Sequence, residues 1–209
     1  HDCHFINTSV VAIPQGKKVN LVDVYKRKKL PAAFVKDNSQ SSWIGHSHIS
    51  NKQLFYFTLN ELVSREESSK KGVPFALAGA LNLKTGQSDV FTIPNKFKNR
   101  FHREMLSLCS NPKGNILATV SPWDHQISFW NYETKSLLKM YDDNFPAGVS
   151  LSKDKKHFVT VSNNGLRFFS TKNGEEKNFY SFNQDVGKLF ANRVWKDNRC
   201  YHSTSAYSL

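Results

Sequence analysis

Residues 104–141, EMLSLCSNPKGNILATVSPWDHQISFWNYETKSLLKMY, read as four short strands joined by three turns. Leu106 and Leu108 alternate with polar neighbours, and Asn111-Pro112-Lys113-Gly114 supplies the first turn. Ile116 to Val120 form a buried run, and Pro122-Trp123-Asp124-His125 turns the chain again. Ile127 and Phe129, then Leu137-Leu138, carry the third and fourth strands. Short apolar runs punctuated by Pro, Gly, Asn and Asp mark strands and turns, because those residues set turn geometry. Each run is too short to show a helical period. The segment is one up-and-down four-stranded sheet, and its apolar faces need neighbours of the same kind.

Those neighbours are legible as a repeat. A strand ending in a large apolar residue, then Asp, Asn or Ser, then a basic or Gly-containing hairpin, occurs four times. The copies begin Val22-Asp23-Val24-Tyr25-Lys26, Leu81-Asn82-Leu83-Lys84, Trp130-Asn131-Tyr132-Glu133 and Phe169-Ser170-Thr171-Lys172. Spacings of 59, 49 and 39 residues bracket the period of propeller blades. A second marker agrees with this register. Asn111 to Asn115 and Ser152 to Lys156 are turns of similar chemistry, and each leads into a strand ending Thr-Val-Ser. The expected fold is all-β: β-propeller blades, each a four-stranded antiparallel sheet, in one domain. The blades fall at about 1–36, 43–93, 104–142 and 146–182. Residues 183–209 hold a closing strand at 188–195 and a polar tail. The charged segment 61–72, ELVSREESSKKG, reads as a mobile surface loop between two strands. Four blades close a ring poorly, so the expectation is about four C-terminal blades of a larger, about seven-bladed propeller. The missing blades would lie on the same chain or on a second one.

Composition narrows the partners. The net charge is +12, from 29 basic and 17 acidic side chains, a surplus that attracts anions over long range. The lysines are scattered over turns and strand edges, where lysine also blocks edge-to-edge pairing. No RNA-binding signature or zinc-finger spacing occurs, so nucleic acid is not an expected partner and a protein is. No apolar run approaches the ~20 residues of a membrane span. Cys3, Cys109 and Cys200 form neither a disulfide framework nor a zinc motif. Cys109 reads as a core residue, and pairing of Cys3 with Cys200 stays open.

The run from Leu106 to Tyr141, followed by FPAGVSLSKDKKHFVTVSNNGLRFF, resembles the late blades of an uncharacterised family of exported bacterial propellers. That family is similar to WD-repeat and quinoprotein-like propellers, and its members tend to be encoded beside imelysin-type, iron-related periplasmic proteins. His1-Asp2 matches the end of a Pro-His-acidic blade start. Val194-Trp195-Lys196-Asp197-Asn198 resembles a Trp-Asp-Asn-His segment, with Lys196 inserted and Arg199 where His is expected. The resemblance implies a periplasmic or otherwise exported protein of the bacterial cell envelope. It carries over no catalytic residues.

The candidate chemistry is histidine at blade starts: His1 and His4 in the first blade, His46 and His48 in the second, His102 in the third. First strands line a propeller's channel, so these imidazoles would meet at one mouth and could hold copper, iron or zinc. The spacing His46-x-His48 places both on one strand face. The fourth blade offers Ala147-Gly148 instead. Asp2, Glu104 and Asp124 are candidate partners for nearby histidines. Trp43, Trp123, Trp130 and Trp195 fall about one per blade, as side chains buried between blades do. No nucleophile elbow, phosphate loop, dinucleotide fingerprint or zincin motif is present. The favoured function is a non-enzymatic propeller that binds or scaffolds a protein partner. The alternatives are a periplasmic metal- or redox-cofactor protein using the histidines, and a binder of an anionic polymer or surface.

Overall fold

The computed structural model describes residues 2–37, 41–50 and 54–182. These residues form four four-stranded antiparallel sheets, each an up-and-down meander in chain order. The first sheet holds β1 (His4–Phe5), β2 (Val10–Gln15), β3 (Lys18–Asp23) and β4 (Lys28–Phe34). The second holds β5 (Trp43–Ile49), β6 (Leu54–Asn60), β7 (Leu77–Asn82) and β8 (Ser88–Val90). The third, built from the stretch quoted first, holds β9 (Ser107–Ser110), β10 (Ile116–Ser121), β11 (Gln126–Asn131) and β12 (Ser136–Asp142). The fourth holds β13 (Gly148–Leu151), β14 (His157–Ser162), β15 (Gly165–Ser170) and β16 (Glu176–Ser181). The architecture is that of propeller-like blades.

The sequence repeat is the turn between the third and fourth strands of every sheet. Each third strand ends in Asp23, Asn82, Asn131 or Ser170, and its side-chain oxygen accepts a turn amide: Lys26 at 2.9 Å, Lys84 at 2.9 Å, Glu133 at 2.7 Å and Lys172 at 3.2 Å. A short polar side chain here replaces the ladder partner that the turning backbone has lost. Four residues after each of these, the chain passes through left-handed φ, at Arg27, Gly86, Lys135 and Gly174. The second marker is likewise a first-to-second-strand turn. Asn111 Oδ1 takes the amides of Asn115 and Ile116, and Ser152 Oγ takes that of His157.

Neighbouring sheets stack face to face, with β1 against β5, β5 against β9 and β9 against β13. Three apolar layers result. Ala12, Val19 and Ala33 meet Phe55, Phe57 and Leu81 between the first and second sheets. Tyr56 and Phe91 meet Trp130 between the second and third. Phe129 meets Phe158 and Phe169 between the third and fourth, at centroid distances of 5.6 and 5.0 Å. Each such side chain, fully buried, contributes about 1.5–3 kcal/mol. The middle sheets are covered on both faces, and β6 and β10 are accordingly buried along their whole length. Among the described residues, the outer sheets are covered on one. Phe5, Ile13 and Phe34 share the far face of the first sheet and are 65%, 40% and 54% exposed. Tyr180 stands exposed on the far face of the fourth, opposite Leu166.

Two sequence expectations need correction. Within 61–72 the chain folds into α1 (Arg65–Lys71). Ser64 and Glu67 form a reciprocal capping box, Glu66 and Glu67 occupy the first turn, Lys70 and Lys71 the last, and Gly72 closes it at φ 61. Each feature favours a helix terminus, and together they outweigh the charge density that suggested a loop. Trp123 is not buried between sheets but exposed in the β10–β11 turn, where it meets Phe145 edge-on at 6.5 Å. Trp130 is buried, with its indole N–H on Thr119 Oγ1 at 2.9 Å. Trp195, the strand at 188–195 and Cys200 lie outside the described residues.

Candidate functional site

The innermost strands β1 and β5 bring four of the polar residues at the first two blade starts together. A register shift in β5 between Ile44 and Ser47 sets their geometry. Gly45 sits in that irregularity, where a Cβ would run into the Asn60 amide and come within 3.0 Å of Thr58 Oγ1. Only glycine lets the strand approach β6 so closely. The His46 amide then donates to Thr58 Oγ1 at 2.9 Å, and its imidazole Nδ1 lies 3.3 Å from Asp2 Oδ2. The same Asp2 oxygen accepts the Ser47 amide at 3.0 Å. Ser47 Oγ in turn is bonded to His4 Nε2 at 3.0 Å, and the His4 ring stands edge-on to Phe55.

Electrostatics follow burial. Burial alone would raise the Asp2 carboxyl, but the bonds from His46 and from the Ser47 amide hold it below the usual carboxylate range. Burial lowers His4, against the pull of Asp2. Burial lowers His48 further, to about 4, with His4 adding to the effect. His4 and His48 are therefore neutral at pH 7. The cluster ties the first sheet to the second through charge-assisted hydrogen bonds.

Of the histidines that the sequence groups at one mouth, the structure brings His4 and His46 together around Asp2 and Ser47. His48 pairs with Tyr56 and its side chain lies on the face of β5 opposite Ser47, so it turns away from the Ser47 contact that holds His4. His102 is taken up elsewhere. Its Nδ1 contacts Ser68 Oγ of α1 at 2.8 Å, its Nε2 contacts the Asn99 carbonyl, and its amide donates to Asp124. His1 lies outside the described residues. Among the described residues no group of three or more His, Cys, Asp or Glu side chains is arranged to hold a metal ion.

The carboxylates divide in the same way. Asp2 does meet a histidine. Asp124, raised by burial, takes the amides of Arg103 and His102 and the Ser121 hydroxyl, and so fastens the link between the second and third sheets to the β10–β11 turn. Glu104 pairs with Arg65 of α1 instead of a histidine. Sequence reasoning missed Asp143. Buried in the link from β12 to β13, it accepts Ser162 Oγ, Asn164 Nδ2 and Arg167 Nε. The available signal was a lone arginine inside the apolar run Leu166–Phe169. An open depression beside it is lined by Asn163, Asn164, Arg167, Phe179, Ser181 and Phe182. The Arg167 guanidinium already serves Asp143 and Glu176 and stacks on Phe179, which leaves it ill placed to receive an anion.

The chain matches no family model, and no curated protein matches it.

Proposed function

We propose that this chain is a non-enzymatic binding scaffold of the bacterial cell envelope, its four sheets being consecutive blades of a larger propeller. The two apolar faces that no described residues cover carry the proposal. Between the described sheets, every face of this kind is covered by the next sheet; the far faces of β1–β4 and β13–β16 have the same alternation, with Phe5, Ile13, Phe34 and Tyr180 exposed. Apolar surface so arranged is characteristic of an interface. A further four-stranded blade is the occupant whose pleat and twist match it. Binding then falls to the ends of the ring, where Trp123 stands exposed beside Phe145 as an aromatic anchor for a protein partner.

The test is carbene footprinting of the protein in its native assembly. Protection of β1, β4 and β16, together with loss of labelling at Trp123 when the partner is engaged, supports the scaffold. Full labelling of Phe5, Phe34 and Tyr180 in that assembly overturns the ring. The alternative metal or redox reading would draw on Asp2, His4 and His46, whose polar atoms engage one another and Ser47.

A further inference from the structure

The four third-to-fourth-strand turns are internal controls for one another. Two residues after the turn-capping side chain, the second, third and fourth sheets carry Lys84, Glu133 and Lys172; the first carries Tyr25. The position is exposed in all four. It is exposed even in the second and third sheets, which are packed on both faces. Covering the far face of β1–β4 would therefore leave Tyr25 in solvent. It is 77% exposed, and its neighbour Val24 is exposed as well.

The residues just after Tyr25 are also peculiar to this turn. Lys26, Arg27, Lys28 and Lys29 are consecutive and all exposed. Among the described residues, the one acid paired with this run is the buried Asp23, 4.0 Å from Lys26 Nζ. Elsewhere the bases at or beside this turn have exposed or half-buried acids as partners: Lys135 pairs with Asp89 of β8, and Glu175 takes Lys139 and Lys177. The tip is rigid as well. Asp23 Oδ1 accepts the Lys26 amide, and the Val24 amide donates to the Ser9 carbonyl at 2.8 Å. Little ordering is left to lose on binding.

We infer that the β3–β4 turn is a docking tip for an anionic lipid surface. Tyrosine favours the headgroup layer of a bilayer, and lysine and arginine lay their apolar stems along it while their charges meet anionic lipid. A single nucleic-acid strand calls for successive aromatics along a groove, whereas Tyr25 is the one aromatic at its position among the four turns. Docking of this kind centres on Tyr25 and the basic run Lys26–Lys29, at the β3–β4 turn and the start of β4, and stands or falls apart from the ring.

Cosedimentation with vesicles tests it, using equal parts phosphatidylcholine and phosphatidylglycerol, and phosphatidylcholine alone as control. The chain sediments with the anionic vesicles and not with the neutral ones, and added salt releases it. The double variant Lys28→Glu, Lys29→Glu abolishes sedimentation. Tyr25→Ser, at unchanged charge, weakens it about tenfold, and Lys84→Glu in the second turn weakens it less. These sites are exposed, and circular dichroism checks that the sheets are retained. Failure to bind anionic vesicles, binding that is indifferent to Tyr25→Ser, or tighter binding of oligothymidylate through the same residues would each overturn the inference.

Discussion

The Tyr56 hydroxyl donates to the Gly114 carbonyl at 2.7 Å, reaching from β6 of the second sheet into the first turn of the third. Tyr56 is fully buried, edge-on to both Phe91 and Tyr132. Burial, with Tyr132 beside it, raises its phenol well above the ordinary value, so it acts only as a neutral donor. Gly114 has φ 66 and returns its own amide to the Asn111 carbonyl. One side chain thus fixes the turn that starts β10 and the spacing between two sheets.

Tyr56→Phe keeps the ring and strands the Gly114 carbonyl in an apolar layer. The expected cost is about 1–3 kcal/mol, the penalty of an unsatisfied buried acceptor. Urea unfolding measures it, and hydrogen exchange should quicken at Asn115 and Ile116. An unchanged midpoint would mean that the carbonyl finds another donor.

His48 makes stability depend on pH. Its folded pKa of about 4 lies below the ordinary value of 6.5, because burial, and then His4, disfavours the charged ring. Between those values the unfolded chain binds more protons, so stability is complete above about pH 6.5, falls as the pH drops, and levels off near pH 4. Scaling the shift gives a loss of about 3 kcal/mol between neutrality and pH 4. His48→Gln should flatten most of that slope in thermal melts at pH 7 and pH 4.5. A remainder belongs to His4, lowered in the same direction, and at lower pH to Asp2, whose depressed carboxyl loses its contribution on protonation.

The sheets were legible because strand and turn chemistry are local. Asp23, Asn82, Asn131 and Ser170 announce their turns within four residues, and the alternation beside them does the rest. The helix at Arg65–Lys71 was legible too, in Ser64 and Glu67, yet its charge drew attention away from its caps. The histidine cluster was not. Whether His46 and His48 share a face depends on the irregularity at Gly45, where Asn60 and Thr58 of another strand leave no room for a Cβ. His102 was drawn off by Ser68 of α1 and Asn99 of the 3₁₀ stretch Asn95–Arg100, whose docking no local pattern encodes. Tertiary contacts of this kind override a spacing argument.

Asp143 should be among the most costly polar residues to lose. Its side chain is fully enclosed, while Arg167 is 20% exposed and also holds Glu176. Asp143→Ala leaves a guanidinium, a hydroxyl and an amide facing an empty site, and breaking a buried pair from one side costs about 3–5 kcal/mol. Asp143→Asn, which keeps an acceptor, should cost less. Chemical denaturation of the two variants decides the order, and equal losses would show that shape matters there more than charge.

The left-handed position of the third-to-fourth-strand turns offers a graded test. Gly86 and Gly174 both occupy it, at φ 74 and φ 68. Around Gly86 an added Cβ meets nothing, so Gly86→Ala costs only the strain of a left-handed residue, about 1 kcal/mol. At Gly174 the Cβ would lie 2.7 Å from Phe129 Cγ, and that ring is wedged between Phe158 and Phe169. Gly174→Ala should therefore cost about 1–3 kcal/mol beyond the strain, as overpacked cores do. Arg27 occupies the same position in the first sheet at φ 49, with its side chain exposed. Arg27→Gly relieves strain there without touching a core and should stabilise the chain by about 0.5–1 kcal/mol. Thermal melts of the three variants should place Arg27→Gly highest, Gly86→Ala next and Gly174→Ala lowest, and a destabilised Arg27→Gly would show that its guanidinium has a structural partner.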